Sequence, residues 1–175
     1  MMGTGPLSRR LRAFFAKSAA MSAPLAALAL AGCMAPPDPA YRDVTQPLSI
    51  TTRTAPDLWQ GTWHLRAASP GAAGVSAFRF APGRITPDCA PACGTGWQAS
   101  PIGANRWRLE GPNGETRELW LIWIDDSGRT AAFGEPEGRY AWVLDRGATG
   151  GADRIQAARE ILEFNGYDAG RVALR

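Results

Sequence analysis

The 175-residue chain contains one lysine, Lys17, and one histidine, His64, and only three cysteines, Cys33, Cys89 and Cys93. One imidazole is too little for the usual zinc ligand sets, which draw on several Cys and His side chains. It is equally poor material for nucleophilic catalysis, where a nucleophile needs a base held beside it. No glycine-rich phosphate cradle, no metal-ligand spacing and no repeat of fixed period occurs. Catalytic residues, a metal and a cofactor are therefore not expected. Acidic residues are missing before Asp38. Long apolar runs are missing too: Ser18 to Leu30, broken by Pro24, is roughly a dozen residues, short of the about twenty that cross a bilayer.

What is present at the amino end is an ordered set of signals. Arg9, Arg10, Arg12 and Lys17 precede the apolar stretch, and small residues follow it, the pattern of a secretory signal peptide. Leu30-Ala31-Gly32-Cys33 resembles the lipobox of bacterial lipoproteins. That resemblance implies removal of residues 1–32 and lipidation of Cys33 as the first mature residue. Two or more acyl chains anchor a protein firmly where one does not. Met34, rather than Asp, after the cysteine implies by the same analogy the outer membrane, on its periplasmic face.

Cleavage changes the charge argument. The leader carries four of the 19 basic residues and none of the 16 acidic ones, so the remainder holds 15 against 16, a formal charge of −1. A nucleic-acid partner is not expected, since phosphate binding needs a retained basic face. With Cys33 consumed by lipid, Cys89 and Cys93 in "DCAPACGTG" remain, and in an oxidising compartment they are expected to form a disulfide.

Residues 33–56, rich in Pro, Thr and Ser without periodicity, are expected as a disordered tether. Residues 57–175 suffice for one domain. Runs of aromatic and β-branched residues between turn residues predict eight strands, near 59–67, 75–80, 84–86, 96–99, 106–110, 117–125, 129–133 and 139–146. "GPNG" at 111–114 and "DDSG" at 125–128 are turn chemistry, which makes Asp125 and Asp126 structural. Glu135 and Glu137 around Pro136 are expected in a solvated loop. A helix over about 153–165 follows, with Asp153 and Gln156 as its cap, an apolar stripe of Ile155, Ala158, Ile161 and Leu162, and Gly166 as its stop. The tail "RVALR" is suited to a further short strand. Sequential strands that must hide their edges predict an all-β fold, an eight-stranded antiparallel up-and-down barrel with one helix packed outside. Such a barrel has room for side chains or one small ligand.

The order of motifs resembles the bacterial lipocalin family. Gly61-Thr62-Trp63 matches the G-x-W of the first lipocalin strand, "GRYAWVLDR" is similar to the last barrel strand ending in arginine, and "NGYDAGRV" to the tail beyond the helix. The resemblance implies that Trp63 plugs the closed end beneath Arg146. Strand parity from an inward Trp63 sends Leu65 and Ala67 inward, with His64 and Arg66 outside, and on the last strand groups Tyr140, Trp142 and Leu144 inside. On 119–124, one face, Leu119, Leu121 and Trp123, is assigned to the interior and the other, Trp120, Ile122 and Ile124, to the helix or a partner. Phe78 and Phe80 complete the candidate ligand-lining set, and Trp97 and Trp107 are candidate rim residues beside Gln98, Arg106 and Arg108. The function expected is a lipid-anchored carrier of a small hydrophobic ligand, a fatty acid such as palmitate or a lysophospholipid. The alternative is a cavity-free envelope lipoprotein that acts on a protein partner through its outer surface.

Overall fold

Each apolar run between turn residues forms a strand, and together they make one antiparallel sheet. The structure is a computed structural model, in which residues 40–53 and 60–175 are described. The leader, Cys33 and Trp59 lie outside the described residues. The elements are β1 (Gly61–Ala68), β2 (Val75–Ala81), β3 (Arg84–Cys89), β4 (Trp97–Gly103), β5 (Arg106–Glu110), β6 (Thr116–Ile124), β7 (Thr130–Gly134), β8 (Ala141–Asp145), α1 (Ala152–Phe164) and β9 (Ala173–Leu174). Neighbours in sequence pair in space, β1 ladders with both β8 and β2, and the eight strands close. β2 takes the first half of β1, Gly61 to His64, and β9 takes Ala67 and Ala68. The barrel and helix are as expected; β3 and β4 run longer than the sequence suggested, and the Cys89–Cys93 disulfide closes their hairpin.

Two β-bulges set which residues face inward. One lies between Leu65 and Ala67 against β8, the other between Leu121 and Trp123 against β7. An extra residue at a bulge inverts the alternation beyond it. Ala68 rather than Ala67 therefore joins the interior, and Ile124 rather than Trp123 does so on β6. This corrects the expected faces of Ala67, Trp123 and Ile124. The interior cluster runs from Trp63, Leu65, Phe80 and Ile85 through Trp107, Leu109, Leu119 and Leu121 to Phe133 and Leu144. Trp107 is part of this core and not a rim residue.

A second apolar layer lies outside the wall. Ile155, Ala158 and Leu162 of α1 bury against Ala132, Ala141, Val143 and Ile122, with Trp123 half-buried at the edge. Alanines on the outward faces of β7 and β8 let the helix approach closely. The helix begins differently from expectation: its N-cap is Gly151 in the left-handed region, Asp153 falls in the first turn, and no side chain caps it. Its end is as expected. Gly166 at φ +88° lets its N–H reach the Glu163 carbonyl and the Tyr167 N–H reach that of Leu162, a Schellman closure.

Buried polar groups tie wall, helix and tail together. Asp145, with its side chain fully buried, accepts from Thr130 Oγ1, the Gly147 N–H at 2.6 Å and Arg154 Nη2 at 3.2 Å, joining β7, β8 and α1. Burial raises the Asp145 pKa, but these donors outweigh it and hold the carboxyl below its ordinary value. The Tyr167 hydroxyl donates to the Glu135 carbonyl at 2.7 Å and accepts from the Glu135 N–H at 2.8 Å. Gly134 makes room for it, since a Cβ there would stand 2.2 Å from that hydroxyl.

The expected tether is instead, over residues 40–53, a strap on the barrel. Tyr41 donates its N–H to Gly138 O at 2.7 Å, and Arg42 is buried, with Nε on Asn165 O at 2.8 Å. Asn165 Oδ1 accepts from the Ser49 N–H and hydroxyl, Thr51 N–H reaches Leu121 O, and Arg53 pairs with Asp126. Proline and threonine composition conceals this because the docking groups are mostly backbone atoms.

A folded-state pKa held below the unfolded value means that Asp145 stabilises the fold fully above about pH 4, and that this contribution is lost as pH falls through the folded value. Asp145→Asn is expected to lower the unfolding free energy at pH 7 by about 2 kcal/mol and to shrink the stability difference between pH 5 and pH 3, read by urea unfolding followed through tryptophan fluorescence.

Candidate functional site

One end of the barrel is sealed. Gly61, at φ +93°, admits the Arg146 guanidinium, whose Nη1 donates to Thr62 O at 3.2 Å and whose Cζ lies 4.0 Å from the centroid of the Trp63 ring. Trp63 is wholly buried. Desolvation lowers the Arg146 pKa from its ordinary value, and a cation over an indole face contributes about 0.5–2 kcal/mol. This is a structural pair that closes the base of the barrel.

The opposite end carries a cleft of about 310 Å³, bounded by the β1–β2 loop, β2, Trp97 and the start of β8. Strand alternation brings its floor together: Phe78 and Trp142 stack with centroids 4.3 Å apart, Tyr140 stacks on Trp142 at 4.7 Å, and Trp97 lies 6.4 Å from both Phe78 and Trp142. The Tyr140 hydroxyl donates to Glu118 O, so the ring is fixed; burial holds that hydroxyl well above its ordinary pKa and keeps it a donor.

Two arginines stand at this aromatic floor with different electrostatics. Arg139 is engaged by Glu135, whose Oε1 accepts from its N–H at 2.9 Å and Nε at 2.8 Å and whose Oε2 accepts from Nη2 at 3.1 Å. Glu137 lies 3.6 Å from the same guanidinium. Glu135 is thus a buried carboxylate and not the solvated loop residue expected; burial raises its pKa above the ordinary range, against the pull of Arg139. Arg117 is exposed, its Cζ 6.0 Å from the centroid of the Tyr140 ring, and makes no ion pair among the described residues. It is the cation left open to an anionic group.

Of the nine lining candidates, Phe78, Tyr140 and Trp142 bound the cleft. Leu65, Phe80, Leu119, Leu121 and Leu144 are buried deeper in the barrel core, and Trp123 is outside the wall. Parity alone cannot distinguish the mouth from the plug, because it ranks faces and not depth. Tyr41, Val75, Arg117 and Arg139 were missed as cleft residues; for Arg117 the available signal was its position at the mouth end of an inward-facing strand, and Tyr41 lies on a strap that the sequence did not announce. His64 is half-buried on β1, and Asp125 is a turn residue whose Oδ1 accepts from the Arg129 and Thr130 N–H groups.

No family model matches the sequence, and no curated protein matches it. Among solved structures the chain is similar to LTBP1 in complex with LTC4, at 12% identity and a TM-score of 0.48, over 78% of this chain and 97% of that one. It is also similar to the tryptamine complex of the amine binding protein of Rhodnius prolixus, at 12% identity and a TM-score of 0.38, over 74% and 89% of the two chains. The strand ladder itself defines the architecture, a closed, eight-stranded antiparallel up-and-down barrel with one plugged and one open end.

Trp142 is both floor of the cleft and part of the core. Trp142→Ala is expected to cost about 3–5 kcal/mol of stability and to remove most of the near-ultraviolet circular dichroism of the stacked rings, with the far-ultraviolet barrel signal retained below the melting temperature.

Proposed function

We propose that this protein is a lipid-anchored lipocalin of the outer membrane, facing the periplasm, that acts by binding and not by catalysis, and holds one fatty acid or lysophospholipid at its open end. The observation that carries the reading is the open cleft in which Arg117 stands over a floor of four aromatic rings. Its volume is at the lower end of the range for small-molecule sites, roughly 300–1,000 Å³. A single acyl chain laid on Phe78, Trp97 and Trp142 leaves its anionic group within reach of Arg117. Removing an acyl chain from water supplies the drive, about 0.8 kcal/mol for each fully buried methylene, and the guanidinium sets the polarity of the head group. The lipobox resemblance at Cys33 supports the anchor and the compartment, and the disulfide suits an oxidising one.

Titration of a chain spanning residues 34–175 with a fluorescent fatty acid, displaced by palmitate, tests this. One site per chain is expected, with Arg117→Ala binding roughly tenfold more weakly, the equivalent of about 1.4 kcal/mol. A fatty alcohol of equal length should not distinguish the two proteins. No uptake by the parent chain, or no effect of Arg117→Ala, would overturn the reading. In the first case the packed interior of Phe80, Leu119 and Phe133 would favour the alternative of an outer-surface interaction with a protein partner.

A further inference from the structure

We infer that the open end of the barrel docks on a lipid bilayer surface, so that the cleft exchanges its occupant directly with the leaflet that holds the anchor. The inference rests on the lipidation of Cys33 in the reading above and adds to it an orientation. The strap supplies the first observation. It starts at the mouth, where Tyr41 bounds the cleft and bonds to Gly138 in the β7–β8 connection. It then runs along the wall to the plugged half, where the Asn105 amide donates to Thr51 O and Arg53 O and Arg53 pairs with Asp126 in the β6–β7 hairpin. The chain therefore leaves the described domain at the mouth. Six residues lie between Cys33 and Ala40, a covalent reach of at most about 25 Å over the seven steps.

The rim chemistry is the second observation. The β1–β2 loop from Pro70 to Gly74 and the disulfide hairpin from Ala90 to Gly96 are largely exposed and hold no ionisable side chain. The plugged end presents Arg53, Asp125, Asp126 and Arg129. These two loops make one side of the mouth, while Glu115, Arg117, Glu137 and Arg139 stand around the rest of it. An approach that leads with the uncharged side brings small residues against lipid head groups without stripping water from ions, whereas the hairpins of the plugged end would have to desolvate several. Arg117, across the cleft from that side, is suited to a lipid phosphate.

The test uses the full-length precursor, processed by the cell and purified in acylated form, in vesicles of phosphatidylethanolamine and phosphatidylglycerol that contain a nitroxide-labelled head group. A bimane is attached at Ala73→Cys on the β1–β2 loop or at Pro82→Cys on the β2–β3 hairpin of the plugged end, both exposed positions. Quenching at position 73 is expected to be at least threefold that at position 82. A second variant, Ala92→Asp with Thr95→Asp on the disulfide hairpin, two exposed positions that do not line the cleft, is expected to slow transfer of a fluorescent fatty acid out of the vesicles about tenfold while its affinity in solution stays unchanged. Equal or reversed quenching, unchanged transfer, or a protein whose mass shows no acyl group on Cys33 would overturn the inference. Strong quenching at 73 in a protein that binds no fatty acid would leave the docked orientation standing and remove the carrier function; fatty-acid binding with equal quenching would do the opposite.

Discussion

Strand β1 has to satisfy hydrogen-bonding neighbours on both edges, and the whole molecule depends on its doing so. An antiparallel sheet of eight strands has two free edges, each an invitation to pair with another chain. Closure through β1 removes them, with β2 on one side, β8 on the other and β9 filling what β2 leaves. Trp63 lies on this strand and seals the base, and the bulge after Leu65 re-aims its second half so that Ala67 faces the outer layer. A strand that closes a barrel, plugs it and begins its outer layer has little freedom left for change. That constraint explains why β1 carries alanines where the neighbouring layers converge.

Most of the architecture was legible in the sequence because its signals are local. Turn residues bracket every strand, and period-two alternation marks them between the brackets. Gly166 ends the helix through a geometry that glycine alone adopts easily. The errors share a cause as well. Bulges at Leu65/Ala67 and Leu121/Trp123 have no residue signature, so parity carried past them placed Ala67, Trp123 and Ile124 on the wrong side. Glu135 looks like a loop residue beside Pro136 until Arg139, four residues on, folds back over it. Residues 40–53 read as a tether because their anchors lie 52 or more positions away in the chain.

The candidate site was legible only in part for a related reason. Alternation says that Phe78, Tyr140 and Trp142 share the interior with Leu65, Phe80 and Leu144, and cannot say which third of the barrel each occupies. Depth comes from the stagger of the strands, which is a property of the closed sheet. The result is a protein with a solid lower barrel and a shallow aromatic mouth, in which binding and stability draw on the same rings.

The strap has one more consequence, which concerns the order in which the chain is made. Synthesis starts at the amino end, yet the groups that receive residues 41–53 are supplied by Asn105, Leu121, Gly138, Asn165 and Asp168. The earliest part of the domain to emerge thus waits longest for its partners, and the barrel, whose first strand pairs with its eighth, closes only once that eighth strand has been made.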